Sequence, residues 1–210
     1  MIRVLIADDH SLIREGLAKV LARQSDIRLV AEASNGTEAA RKAGSDDVDV
    51  AILDFNMPGR SGLDALSHIR ALRPKLPVII LSMMPERDLA LRAFRGGADG
   101  FVSKDSAAEE IVEAVRTVAS GAKYVSAAVA ELLAVGIAAP ESQQPHEALS
   151  NREFQIMRMI ASGHGTRQIA DELSLSVNTI ATYRRRVLEK LGLKNDADII
   201  RHAIQYRLID

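Results

Sequence analysis

The chain contains no cysteine, which excludes a disulfide framework and any thiolate metal site. No run approaches about 18 uninterrupted apolar residues, so the sequence offers no membrane-spanning helix and no membrane partner is expected. The opening MIRVLIADDH puts Asp8 and Asp9 where the apolar core of a secretory signal would stand, so export is not expected and the protein reads as cytoplasmic. Histidine is sparse and scattered, at positions 10, 68, 146, 164 and 202, with no pair at metal-ligand spacing. The formal net charge is only -1, which by itself says nothing about nucleic acid. What the chain does have is 47% hydrophobic and 26% charged residues over 210 positions. That composition excludes a disordered chain and suits one large or two small globular domains.

Two kinds of periodicity divide the chain. Up to about residue 120, short apolar runs alternate with amphipathic stretches. Strands are expected at Ile2–Ala7, Arg28–Ala33, Val48–Leu53, Pro77–Leu81 and Gly100–Val102. Helices are expected at Leu12–Leu21, Gly36–Ala43, Gly62–Leu72, 86–96 and 106–119, the last opened by a capping box at Ser106 and Glu109. Five β-then-α units imply an α/β domain with a parallel sheet covered on both faces. Residues 126–135 look helical. Residues 138–147 (AAPESQQPHE) have no apolar period and read as a linker. Beyond it the pattern is all-α. A capping box at Ser150 and Glu153 opens one helix, Thr166 caps a second, Ser176 a third that ends at Gly192, and Asn195 a fourth. A tight break at Ser174–Leu175 between the second and third suggests a helix-turn-helix. The expected division is 1–122, 123–147 and 148–210.

In an open parallel sheet, ligands bind beyond the carboxyl ends of the strands. Here those ends carry Asp8 and Asp9, Asp54, Ser82, and Ser103 with Lys104. Three carboxylates on one rim repel each other, and a hard divalent cation such as Mg2+ resolves the repulsion with oxygen ligands. Lys104 then offers a point charge and Ser82 a hydroxyl to a phosphoryl group. The chemistry that fits is phosphoryl transfer onto a carboxylate. Asp54, alone at its strand end, is the expected acceptor, with Asp8 and Asp9 holding the metal. The string Asp54-Phe-Asn-Met-Pro-Gly-Arg-Ser-Gly62 is more specific than turn chemistry requires.

The Asp-Asp pair, the DxxMPxxxG string, Ser82 and Lys104 resemble, in order and spacing, the receiver domain of two-component response regulators. The resemblance implies a flavodoxin-like five-stranded sheet in the order 2-1-3-4-5. It implies phosphorylation of Asp54 by a sensor histidine kinase, with Mg2+ held by Asp9, Asp54 and the Asn56 carbonyl and by Asp8 through water. It also implies that Ser82 and Phe101 change position together on phosphorylation. Ser82 stands where many receivers carry threonine, and Asp105 follows Lys104 where many carry proline.

The third C-terminal helix, SVNTIATYRRRVLEKLG at 176–192, has Ile180, Val187, Leu188 and Leu191 as its core stripe and Asn178, Ala181, Thr182, Arg185 and Glu189 on another face. Arginine reads guanine bidentately, and a threonine methyl meets that of thymine. Ser176 and the helix N-terminus offer donors to a backbone phosphate. The segments 149–163, 166–173 and 176–193 resemble the LuxR-type helix-turn-helix of the NarL/FixJ subfamily. The double-stranded DNA contacts expected are Ser176, Asn178, Thr179, Ala181, Thr182, Arg185 and Arg186. Ala181 replaces a lysine common in that family and Tyr183 a histidine, so the lysine's base contact is not carried over.

A DNA-binding response regulator is the function expected, not an enzyme. Ile199, Ile200, Ala203 and Ile204 make the apolar face of the last helix wider than one small module needs, which suggests a homodimer on DNA. Two other readings stay open. One is a small aspartyl-phosphate phosphatase, although Asn56 occupies the place where the haloacid-dehalogenase pattern puts an acid. The other is a constitutive DNA-binding regulator with a vestigial receiver.

Overall fold

The computed structural model describes all residues except 46, 84–86, 105–107, 127–128, 131–143, 207 and 210. It divides into two compact units, Met1–Ala139 and Pro140–Asp210. Ser106 of the expected capping box, Asp105, residues 127–128 and 131–135 of the expected helix and 138–143 of the expected linker lie outside the described residues.

In the first unit six strands form one parallel sheet: β1 (Ile2–Ala7), β2 (Ile27–Ala33), β3 (Val50–Asp54), β4 (Val78–Ser82), β5 (Gly100–Ser103) and β6 (Tyr124–Val125), in the order β2-β1-β3-β4-β5-β6. The order implied by the resemblance holds for the first five. The sixth corrects the count: it pairs Gly100 with Tyr124 and Phe101 with Val125. Two residues carry no periodicity, so a strand defined only by its hydrogen bonds to β5 leaves no mark in the sequence. Every residue of β3 and β4 is buried, whereas edge strand β2 alternates. This is the pattern of central strands covered on both faces and an edge strand half in water.

The helices are α1 (Ser11–Ala22), α2 (Gly36–Ala43), α3 (Gly62–Leu72), α4 (Arg87–Arg95) and α5 (Ala108–Ala119). Successive strand residues point to opposite faces. Val4, Ile6, Ile52, Ile79 and Leu81 pack with Leu17 and Leu21 of α1 and Ile111, Val115 and Val118 of α5. Against the other face lie α2, α3 and α4, which bury Ala39, Leu63, Leu66, Ile69 and Leu89. Asn35 and Ser61 cap α2 and α3 by accepting from the Glu38 and Asp64 N–H groups.

The second unit holds α6 (Asn151–Ala161), α7 (Thr166–Glu172), α8 (Val177–Leu191) and α9 (Asp196–Gln205). Both halves of the Ser150–Glu153 capping box are formed. Glu153 also receives Lys190 Nζ of α8 at 2.6 Å, so one carboxylate caps α6 and ties it to α8. Burial pushes the Glu153 carboxyl up, but Lys190 and the Ser150 donors outweigh it and hold it below its usual range. Thr166 is the first residue of α7 rather than its cap; Gly165 occupies that place. The break between α7 and α8 puts Ser174 in the left-handed region (φ 51°), and Gly192 ends α8 at φ 66°.

The tail of the expected linker is not free chain. Pro145–Ala148 forms a 3₁₀ turn that buries His146. Its ring meets those of Phe154, His202 and Tyr206 at 5.9, 5.7 and 5.4 Å. On α9, Ile199, His202 and Ala203 are buried and Ile200 half-buried, while Ile204 is 60% exposed. No described helix is long and apolar enough to cross a membrane.

Candidate functional site

The carboxyl ends of β1, β3, β4 and β5 meet, and the charged residues expected there are brought together. Asp8, just past β1, is fully buried, while Asp9 is partly open. Asp54 closes β3 at 2% exposure, and Ser82 closes β4, buried. Lys104 follows β5, and its N–H donates to the Ser82 carbonyl at 2.7 Å, which fixes where its side chain starts. Its Nζ reaches Asp8 Oδ2 at 2.7 Å and Asp54 Oδ1 at 2.9 Å.

The two Asp54 oxygens are unequal. Oδ1 takes Lys104 and the Asn56 N–H, the latter at 3.2 Å. Oδ2 is buried and accepts no hydrogen bond among the described residues. Burial pushes the Asp54 carboxyl up to about 7; Lys104 opposes this, and the charge of Asp8 adds to it. For Lys104, burial favours the neutral amine, but Asp54 and Asp8 outweigh it and hold its pKa above the usual lysine value.

The backbone beneath is tightly set. Phe55 N–H donates to Leu81 at 2.8 Å and Gly62 N–H to Phe55 at 3.0 Å. A Cβ at Gly62 would lie 2.2 Å from the Asp54 carbonyl oxygen. The glycine that ends the DxxMPxxxG string is therefore where α3 starts against the backbone of Asp54, and Gly59 before it turns at φ 72°. Phe101 is fully buried on β5, paired with Ile80 and Val125.

The oxygen donors suit a hard cation. Asp8, Asp9 and Asp54 each place one ligand atom within 4.8 Å of the others, and Asp54 Oδ2 has spare capacity. Mg2+ uses one or two carboxylates and keeps waters, so this donor set fits it. Sequence reasoning missed His10, which belongs to the same cluster. The available signal was its place directly after the acidic pair.

On α8 the expected groove-facing residues share an exposed side: Asn178, Ala181, Thr182, Arg185 and Arg186, with Ser176 just before and Thr179 half-covered. Ser176 Oγ accepts the Thr179 N–H at 3.0 Å. Thr182 Oγ1 donates to the Asn178 carbonyl at 3.0 Å. The arginine triplet divides. Arg184 is tied to Asp196 of α9 at 2.6 Å. Arg185 is 70% exposed, with Glu189 no nearer than 3.9 Å. Arg186 lies over the Tyr183 ring, 5.9 Å from its centroid.

Residues 4–116 match the response regulator receiver domain, and residues 147–203 match the bacterial regulatory proteins of the luxR family. The chain belongs to the LuxR-type response regulators. It is 36% identical over 209 residues to the response regulator UvrY of Escherichia coli K12, covering 99% of this chain and 96% of that protein. It is 35% identical over 211 residues to the response regulator GacA of Pseudomonas aeruginosa, covering 100% and 99%. Among solved structures it resembles RcsB from Salmonella enterica serovar Typhimurium bound to a promoter in the presence of a phosphomimetic, with 26% identity, TM-score 0.60, and 96% and 97% coverage. This response regulator thus joins a receiver to a DNA-binding domain and controls transcription within a two-component system.

Proposed function

We propose that Asp54 is the phosphoryl acceptor and that its modification by a sensor histidine kinase sets how the protein occupies double-stranded DNA. The observation that carries this is the division of labour at Asp54: one oxygen held by Lys104, the other buried and without a donor among the described residues. Oδ2 attacks phosphorus, the O–P bond forms as the P–N bond of the kinase phosphohistidine breaks, and an aspartyl-phosphate remains. Lys104 moves from the carboxylate to a phosphoryl oxygen, and the Ser82 hydroxyl donates to another. Asp9, Asp54 and the Asn56 carbonyl would hold Mg2+, with Asp8 acting through water; the ion supplies neutralisation of the charge that builds on the transferring group. Ser82 and Phe101 then shift together and tip a two-state receiver.

In this reading residues 1–122 are the receiver, 123–147 connect, and 148–210 bind DNA through Ser176, Asn178, Thr179, Ala181, Thr182, Arg185 and Arg186. The protein works in the cytoplasm as a regulator rather than an enzyme. It acts as a homodimer, for which exposed Ile204 offers an apolar contact, and reads two half-sites. The test is genome-wide DNA occupancy with Asp54 intact and with Asp54→Ala. Loss or redistribution of occupied sites in the variant supports the reading. An identical map under the activating stimulus returns the protein to a constitutive binder.

A further inference from the structure

His10 stands at the N-cap of α1 yet makes no side-chain bond to the first turn. That position favours Ser, Thr, Asp or Asn, whose short side chains satisfy a free N–H. The imidazole forgoes this and turns to the acidic pair. Its Nδ1 lies 2.9 Å from Asp9 Oδ1 and is hydrogen-bonded to Asp8 Oδ1 at 3.3 Å. Asp9 Oδ1 is buried and accepts no hydrogen bond among the described residues, so the closer approach is not an aligned N–H···O contact. One ligand atom from each of Asp8, Asp9, His10 and Asp54 falls within 4.8 Å of the rest. An octahedral ion with bonds of about 2.1 Å sets adjacent ligands about 3 Å apart and opposite ones about 4.2 Å apart. The 2.9 Å between His10 Nδ1 and Asp9 Oδ1 is the spacing of two adjacent ligands, and the whole set lies within 4.8 Å, close to the span of one octahedral shell.

Two further observations point to a ligand at this place. Asp54 Oδ2 is buried without a partner among the described residues. Lys104 neutralises the cluster only from the side of Asp8 and Asp54, so among the described residues Asp9 has no basic neighbour except His10. The four donors are three carboxylates and one imidazole. Magnesium is served by the oxygens alone and seldom takes nitrogen. Manganese, cobalt and nickel accept imidazole, with affinity rising along that series. The His10 side chain is 65% exposed, so it has room to swing away when the occupant uses only oxygen.

We propose that His10 is an additional ligand of the acidic pocket and gives it a selective affinity for divalent transition ions over Mg2+. This rests on the reading of Asp9 and Asp54 as metal ligands. The phosphoryl transfer chemistry is unchanged; what His10 sets is which ion occupies the pocket when several compete.

The test uses the full chain, titrated with MgCl2 and with CoCl2, and pulsed electron paramagnetic resonance of the Mn2+-loaded protein to detect nitrogen coupling. With His10→Ala, Co2+ affinity falls at least about tenfold, no less than the loss of an outer-sphere partner costs. Mg2+ affinity stays within about twofold, because oxygen-only binding does not use the ring. The imidazole coupling disappears. His10→Gln, which keeps bulk but has no imidazole lone pair, behaves as His10→Ala in the nitrogen coupling. An unchanged ratio of Co2+ to Mg2+ affinity with coupling retained overturns the proposal. Asp9→Ala separates the two layers. If it abolishes binding of both ions while His10→Ala alters neither, only the role of His10 falls. If Mg2+ binds unchanged without Asp9, the metal pocket itself is misplaced and the proposal falls with it.

Discussion

Lys104 Nζ lies 2.9 Å from Asp54 Oδ1 while Oδ2 of the same carboxylate has no donor among the described residues. In the proposed reading, that one contact leaves Oδ2 as the oxygen that attacks. On the same reading, a phosphoryl group on Oδ2 would bring new anionic oxygens within reach of Lys104.

Incubation with Mg2+ and acetyl phosphate should attach one phosphoryl group per chain. Asp54→Asn should remove it, because an amide is a poor nucleophile, and Asp9→Ala should remove most of it by losing the metal. Intact-protein mass spectrometry reads the result. Labelling of Asp54→Asn at the normal rate would move the acceptor elsewhere.

Lys104→Met strips the buried carboxylates of Asp8 and Asp54 of their cation. Removing one partner of a buried pair costs about 3–5 kcal/mol. Urea unfolding in a chelator should show a loss of that order, and Mg2+ should restore part of it because a divalent ion takes over the neutralisation. A variant as stable as the parent in chelator would show that the lysine serves only the phosphoryl group.

Two glycines make opposite predictions. Gly62→Ala drives a Cβ to 2.2 Å from the Asp54 carbonyl, so backbone must move; a loss of about 1–3 kcal/mol or more and slower labelling are expected. On the exposed side of α1, a methyl group added at Gly16 would meet nothing within 4 Å. Gly16→Ala should stabilise by about 0.5–1 kcal/mol. Thermal unfolding of the two variants side by side checks both.

Arg184 and Arg185 are neighbours with different work. Arg185→Ala should weaken DNA binding by about 1–3 kcal/mol and relax one base position if its contact is bidentate. Arg184→Ala removes a half-exposed pair with Asp196 and should cost no more than about 1 kcal/mol of stability. Binding to an operator fragment at two salt concentrations, with unfolding in parallel, separates them. Equal affinity of Arg185→Ala and parent would place that residue off the interface.

Burial, and then the neighbouring His146, hold the His202 pKa below 6.5. Below pH 6.5 the unfolded chain takes up a proton that the folded one refuses. The contribution of neutral His202 is therefore complete above pH 6.5 and is lost as pH falls from there toward the folded pKa. The slope is at most about 1.4 kcal/mol per pH unit for one proton. Urea unfolding between pH 7.5 and 5.5 should show the helical unit weakening, and His202→Asn should flatten that slope.

Most of the fold is legible because its signals are local. The bounds of α2 and α3 follow from caps at Asn35 and Ser61 and from the apolar spacing of Leu63, Leu66 and Ile69. The acidic pocket is legible because strand ends in a parallel sheet converge. What escaped depends on contacts distant in sequence. Tyr124–Val125 is a strand only because β5 is beside it. His146 reads as linker until Phe154, His202 and Tyr206 surround it. The wide apolar face of α9 is legible by spacing, but that His202 rather than Ile204 takes the buried place there is not. His10 is hard to recognise in the sequence because it stands alone beside two aspartates rather than paired with a second histidine.

The separation of duties along α8 has a consequence for how such a protein changes its targets. Ile180 and Val187 anchor the helix, Arg184 braces it against α9, and Asn178, Ala181, Thr182 and Arg185 stand exposed. Surface substitutions of that kind usually shift stability by no more than about 0.5 kcal/mol. The exposed residues can be rewritten almost independently of the scaffold, so if they read the operator as proposed, a new preference can be acquired without first gaining stability to absorb the change.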